Sequence, residues 1–183
     1  MELSDKAHEL REQLKFPPYE GFPDIELYMD QVLDFLSRSR TSLRDDDRLS
    51  SAMVNNYIKA ELLPRARGKK YSREHLVHLA IILRLKQVLS VKDTGRLLSA
   101  YREGKTDEVF FDSFRDMVDE SAKEICEGIA AADADLADLA MSLAVSSYIS
   151  KVGCEYILDR IMDGHDENEG TNDFGKTHDD ESK

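Results

Sequence analysis

Apolar positions recur at helical spacing along most of the chain. Within Ile25–Leu36 the residues Ile25, Tyr28, Met29, Val32, Phe35 and Leu36 follow an i, i+3, i+4, i+7 stripe, which predicts an amphipathic helix capped by Asp24. Upstream, residues 3–15 predict a short helix, stopped by Pro17-Pro18, Gly21 and Pro23, which impose an extended connector. The polar stretch Ser37–Ser50, with Asp45-Asp46-Asp47, has no periodicity and is expected to be a loop. A second helix, Ala52 to Glu61, starts after Ser50 or Ser51, either of which can cap it. Eight of the ten residues Leu76–Leu85 are apolar, so the helix that Ser72 caps is expected to be enclosed on more than one side and to form the spine of the domain. Ser90 caps the next helix, Val91–Arg102, with Val91, Leu97, Leu98 and Tyr101 facing inward. From Thr106 to Gly128 the stripe is Phe111, Phe114, Val118, Ala122, Ile125 and Ile129. Asp133–Asp163 carries a further set from Leu136 to Ile161, and residues 164–183, rich in acidic groups, are expected to be disordered.

The helix at 52–61 is the most informative segment. At 100° per residue Met53, Val54, Tyr57 and Ile58 gather on one side, and Ala52, Asn55, Asn56 and Lys59 lie almost opposite. One side docks and the other is left free, with two amides and a lysine that suit base edges or phosphates and equally an ordinary solvated face. Next comes Leu62-Leu63-Pro64-Arg65-Ala66-Arg67-Gly68-Lys69-Lys70-Tyr71: a helix stop, a glycine turn and four basic side chains, short enough for a β-hairpin or wing. Tyr71 is expected to pack this wing onto the domain. Helix, loop, amphipathic helix, basic hairpin and buried helix together form a winged helix-turn-helix order.

Charge sharpens that picture. The net charge is −12, yet Arg38–Arg102 holds 15 Lys and Arg against 6 Asp and Glu, while the flanks carry −6 and −15. A basic middle between acidic ends is the pattern of one anion-binding face, although a charge cluster is more often a solvated surface. Apolar residues at 41%, nine Gly, four Pro and no Trp fit a mainly helical protein rather than a turn-rich sandwich. The longest apolar run, Leu79–Leu83, is far short of the roughly 18 residues of a membrane helix, and Met1–Asp5 has no basic-then-apolar signal, so the chain is expected to stay in the cytoplasm, away from membranes. Cys126 and Cys154 read as two reduced thiols.

The run Met53–Pro64 followed by Lys69-Lys70-Tyr71-Ser72-Arg73-Glu74-His75-Leu76 resembles the DNA-binding part of MerR-type regulators, where a recognition helix ends in a Leu-Leu-x-Pro-like segment before a wing and an Arg-x-Tyr-Ser-like helix start. Asn55 and Glu61 stand about where that family usually has Arg and Gly. Pro23 to about Glu103 also resembles a bacterial family known as a domain of unknown function, number eighteen thirty-six. The fold class expected is therefore all-α in the main: an acidic helix and connector at 1–23, a MerR-like winged helix domain at 24–103, a C-terminal helical region at 104–163 and an acidic tail at 164–183. The resemblance implies a DNA-binding transcriptional regulator. Asn55, Asn56 and Lys59 would face the major groove, Arg65, Arg67, Lys69 and Lys70 would hold phosphates, and Ser51 and Arg73 complete the candidate set. It also implies a C-terminal dimerisation helix and an effector site, leaving room for a small-molecule effector of unknown identity.

A single winged helix buries about 600–1,000 Å² on DNA, so a homodimer on double-stranded DNA is expected. The helices at 106–129 and 133–163 are its available surface, equally suited to packing within one chain. A protein-interaction module without DNA binding is the alternative. Enzyme chemistry is not expected: no phosphate loop, dinucleotide fingerprint or nucleophile elbow occurs, and no cofactor is called for. His75 and His78 lack a third ligand at helical spacing, so no metal site is expected, and they read as surface or half-buried histidines.

Overall fold

The computed structural model describes residues 3–38, 49–133 and 135–169. They form α1 (Leu3–Leu14), a 3-10 turn (Tyr19–Gly21), β1 (Leu27–Tyr28), α2 (Met29–Arg38), α3 (Ser51–Lys59), β2 (Lys70–Tyr71), α4 (Arg73–Leu85), α5 (Val91–Arg102), α6 (Asp107–Ala131) and α7 (Leu136–Glu169). The protein is mainly helical, as expected, with one small antiparallel sheet in which Leu27 pairs with Tyr71 and Tyr28 with Lys70, and the hairpin expected within 62–71 is a turn closed by a single bridge between Arg67 and Lys70, its second strand being supplied from before α2. Asp45-Asp46-Asp47 and the end of the acidic tail, 170–183, lie outside the described residues.

Local signals set most boundaries. Ser50, rather than Ser51, caps α3, its hydroxyl accepting the Met53 N–H at 3.3 Å. Ser90 and Thr106 cap α5 and α6 in the same way, through Asp93 N–H and Val109 N–H. At α4 the Ser72 N–H donates to His75 Nδ1 at 3.2 Å, one half of a capping box. Such caps are worth about 1 kcal/mol each.

α4 is the spine. Leu76, Val77, Leu79, Ala80, Ile81 and Ile82 have no exposed surface, and α2 (Val32, Leu36), α3 (Val54, Tyr57), Leu63 and Tyr71 close around them. α6 adds Phe110, Phe111 and Phe114. The connector adds Phe16 and Phe22, whose rings meet Phe111 edge-on at 6.0 and 5.2 Å between centroids. One core thus crosses the divisions expected near 23 and 103, and α1 packs along α6.

Several expectations are corrected. The stripe from Ile25 to Leu36 is not one helix: Leu27 and Tyr28 pair with the hairpin, the helix starts at Met29, and Ile25 and Tyr28 are exposed while Leu27 is buried. Sheet pairing with residues 42 and 44 positions away in sequence overrides the helical spacing. Val91, at the first turn of α5, is exposed, and Thr94 is the fully buried residue of that helix. Ile125 is also exposed, and Cys126 takes the buried position beside it. α7 stays helical through 164–169, where disorder was expected.

His75 and His78 are buried rather than at the surface, because both belong to the enclosed helix. Burial holds the His75 imidazole below its ordinary pKa of 6.5, against the opposing pull of the Arg65 and Pro64 backbone and of Glu74. Burial also lowers His78, helped by Arg102 and opposed by Asp107, whose carboxylate lies 3.2 Å from Nε2. Each is therefore neutral in the fold at a pH where the unfolded chain already binds protons. Their contribution to stability is complete above about pH 6.5 and is lost as pH falls below it. The melting temperature should be flat above pH 7 and decline from pH 6.5 to 5. In a His75→Asn, His78→Gln variant this decline should shrink, whatever the absolute melting point. Glu12 and Asp93, lowered by hydrogen bonds to Lys15 and Ser90, act in a separate, more acidic window.

Candidate nucleic-acid interface

α3 presents the face that its spacing dictates. Val54 and Tyr57 are buried, Met53 and Ile58 are half-buried, and Ser51, Ala52, Asn55, Asn56 and Lys59 are exposed. The helix stops two residues earlier than its pattern, in a turn that exposes how the chain is redirected. Leu62 N–H donates to Tyr57 O at 3.0 Å and Glu61 N–H to Ile58 O at 3.2 Å, with Glu61 at φ 59° between them. This is a Schellman motif, whose left-handed position is usually glycine. Leu63 then enters the core, and the rigid ring of Pro64 starts the hairpin.

The hairpin itself is tight. Lys70 N–H donates to Arg67 O at 2.9 Å, and both central residues have positive φ, Gly68 at 56° and Lys69 at 65°. These are the angles of a type I′ turn, which matches the twist of a two-stranded ribbon. Gly68 takes them freely; for Lys69 they cost about 1 kcal/mol. A charged side chain is thus held at the tip in a conformation that glycine or asparagine would adopt more easily.

The candidate residues fall into two groups. Arg65, Arg67 and Lys69 are exposed on the hairpin, as is Lys59 on α3, and none of the four is ion-paired with a described carboxylate. Several arginines elsewhere are neutralised, Arg96 by Asp93 and Asp159, Arg102 by Asp107 and Arg115 by Asp112, whereas Lys92 on α5 and Lys123 on α6 are exposed and form no ion pair with described residues. Lys70 and Arg73 are half-buried and already engaged. The Lys70 ammonium lies 5.6 Å from the Tyr28 ring centre. Arg73 donates from Nε to Phe22 O at 3.0 Å, a link across 51 positions, and its guanidinium lies 5.4 Å from the Tyr19 ring centre. Arg73 therefore fastens the connector to α4. Tyr28, which the spacing assigns to a buried helical stripe, is instead exposed beside the hairpin, because it belongs to a two-residue strand.

α3 and the hairpin are set by one core, since Tyr57, Leu63 and Tyr71 all pack on α4. Gly95 of α5 approaches so closely that a Cβ there would stand 3.0 Å from Leu62 Cδ1, which presses α5 against the turn leaving α3. Among the described residues no group of three His, Cys, Asp or Glu side chains is arranged to hold a metal ion, and no helix is long and apolar enough to cross a membrane.

Comparison with known proteins gives one family match, described as Domain of unknown function (DUF1836), over residues 17–118. The matched stretch coincides with the core, which runs from Phe16 to Phe114 and is completed by Val118 packed against it. No curated protein and no solved structure matches the chain.

Two substitutions test how the interface is built. Glu61→Gly removes the left-handed strain at the end of α3 and should raise stability by about 0.5–1 kcal/mol, read as a higher urea midpoint at unchanged slope. Tyr71→Ala empties a site that is 5% exposed and should lower stability by about 3 kcal/mol or more. An unchanged melting curve would show that Tyr71 does not anchor the hairpin.

Proposed function

The chain belongs to the DUF1836 family, and we propose that it binds double-stranded DNA through α3 and the basic hairpin, as a regulator of transcription. The observation that carries this reading is the set of Lys59, Arg65, Arg67 and Lys69, exposed and without ion pairs to described residues in a chain of net charge −12. With carboxylates outnumbering cations, surface lysines and arginines readily find partners, and Arg96, Arg102 and Arg115 do. A cluster left unneutralised, with one member held in a strained backbone conformation, suits an external polyanion.

The element order supports the same reading. Strand, helix, helix, hairpin and buried helix resemble the arrangement of MerR-type winged helices, in which the second helix enters the major groove and the hairpin lies along the backbone. In this assignment Asn55, Asn56 and Lys59 read base edges, with Ser51 near a phosphate at the start of the helix. Arg65, Arg67 and Lys69 hold phosphates. Lys70 and Arg73 support the surface from behind, through Tyr28 and Phe22. The left-handed Glu61 keeps the geometry that Gly would give in such a regulator.

With about six phosphates neutralised, log K should fall against log salt with a slope near −5. An anisotropy titration that shows no duplex binding at low salt would refute the proposal. Lys69→Gly separates stability from function: it relaxes the turn and should raise the melting temperature, yet weaken binding to all sequences and reduce the salt slope by roughly one. Asn55→Ala should instead change sequence preference. Equal losses on specific and random duplexes for both variants would show that the roles are misassigned.

A further inference from the structure

The basic surface has an acidic neighbour in its own chain. Arg96 of α5 fixes the C-terminal part of α7, donating to Asp159 Oδ1 at 2.9 Å and to the Leu158 carbonyl at 3.3 Å, and Leu158 is 2% exposed. Ile161, the next residue of α7 turned toward the domain, lines a cavity of about 830 Å³ together with Ala60, Glu61 and Leu62. Those three residues are the turn that joins Lys59 to the hairpin. α7 therefore passes beside the base of the basic surface and runs on to Glu169.

The charge of the chain changes at that point. Residues 162–183 hold eight Asp and Glu against two Lys, which is half of the net charge of −12. Lys59, Arg65, Arg67 and Lys69, which flank Ala60–Leu62 in the chain, are exposed and form no ion pair with described residues. We propose that residues 170–183 dock on this surface and occupy it until an external polyanion displaces them. The inference rests on the basic surface of the preceding reading and not on DNA as its ligand.

Reach permits the contact. Each of the four cations lies within seven residues of Ala60–Leu62, so none is farther from that turn than about 25 Å even along an extended chain. From Ile161 to Glu169 α7 adds about 12 Å, and residues 170–183 span up to about 45 Å. Covalent attachment holds the segment near the surface at an effective concentration of about 1 mM, so contacts too weak to retain a free peptide suffice. Charge selects the surface. α6 holds eight Asp and Glu against Arg115 and Lys123 and repels such a segment, which leaves α3 and the hairpin as the region of opposite sign. The segment also acts as a filter. A duplex carries one charge per about 1.7 Å of its axis and displaces four carboxylates spread over residues 170–183, whereas a single phosphate or a short acidic peptide does not.

The test neutralises the segment in the full chain with Asp173→Asn, Asp179→Asn, Asp180→Asn and Glu181→Gln. A control with Glu120→Gln, Glu124→Gln, Glu127→Gln and Asp138→Asn removes the same charge from exposed positions of α6 and α7. Without DNA, at low salt, the amide resonances of Lys59, Arg65, Arg67 and Lys69 should move in the first variant and stay in place in the control. About 0.5 M salt should bring the parent and the first variant together, because screening releases the segment. In anisotropy titrations the first variant should bind a random duplex about fivefold more tightly than the parent, and the control less than about twofold. Resonances that do not move in the first variant would overturn the proposal, as would equal gains in affinity for both variants. If the resonances move as expected and none of the three proteins binds a duplex, the DNA reading fails and the docked segment stands.

Discussion

Leu76 to Leu83 of α4 are buried without a break, and a helix enclosed on every side must be given neighbours by the rest of the chain. α2 and α3 cover one part, α6 another, and the connector closes the gap between them with Phe16 and Phe22. The requirement fixes which side of each surrounding helix turns inward. α3 spends Val54 and Tyr57 on α4, and Asn55, Asn56 and Lys59 are exposed as a consequence. The free face of α3 is thus the reverse side of a packing decision, and the family match over 17–118 follows the extent of that packing.

The hairpin obeys the same constraint through fewer residues. Leu63 and Tyr71 enter the core on either side of it, so the intervening segment has to turn back within a short span. Two residues that are not glycine take left-handed angles here, Glu61 just before Leu63 and Lys69 between the two anchors. At each place the geometry of the turn wins over the preference of the side chain, and the cost of about 1 kcal/mol per residue is small against the burial of the two anchors. Strain at Glu61 redirects the chain, and strain at Lys69 presents a charge.

α5 links the two halves of the molecule. One side touches the turn after α3 through Gly95 and Leu62, and Arg96 on the same helix fastens α7 through Asp159. α5 thus connects α7 to the turn that leaves α3. α6 and α7 are acidic, while Lys59, Arg65, Arg67 and Lys69 on α3 and the hairpin are exposed and form no ion pair with described residues.

The sequence alone determined the features that local chemistry controls. Ser72, Ser90 and Thr106 cap their helices with side chains only a few residues from the groups they bind, and the free and docked sides of α3 follow from spacing within ten residues. The hairpin was legible from Gly68 among basic residues, and the enclosed character of α4 from its density of apolar positions. Tertiary structure decided the rest. β1 exists because Leu27 meets Tyr71, Arg73 holds the carbonyl of Phe22 from 51 positions away, and His75 and His78 are buried because other elements close over α4. Periodicity records the geometry of a single helix, whereas partners distant in sequence are chosen by the free energy of the whole core, to which no local pattern has access.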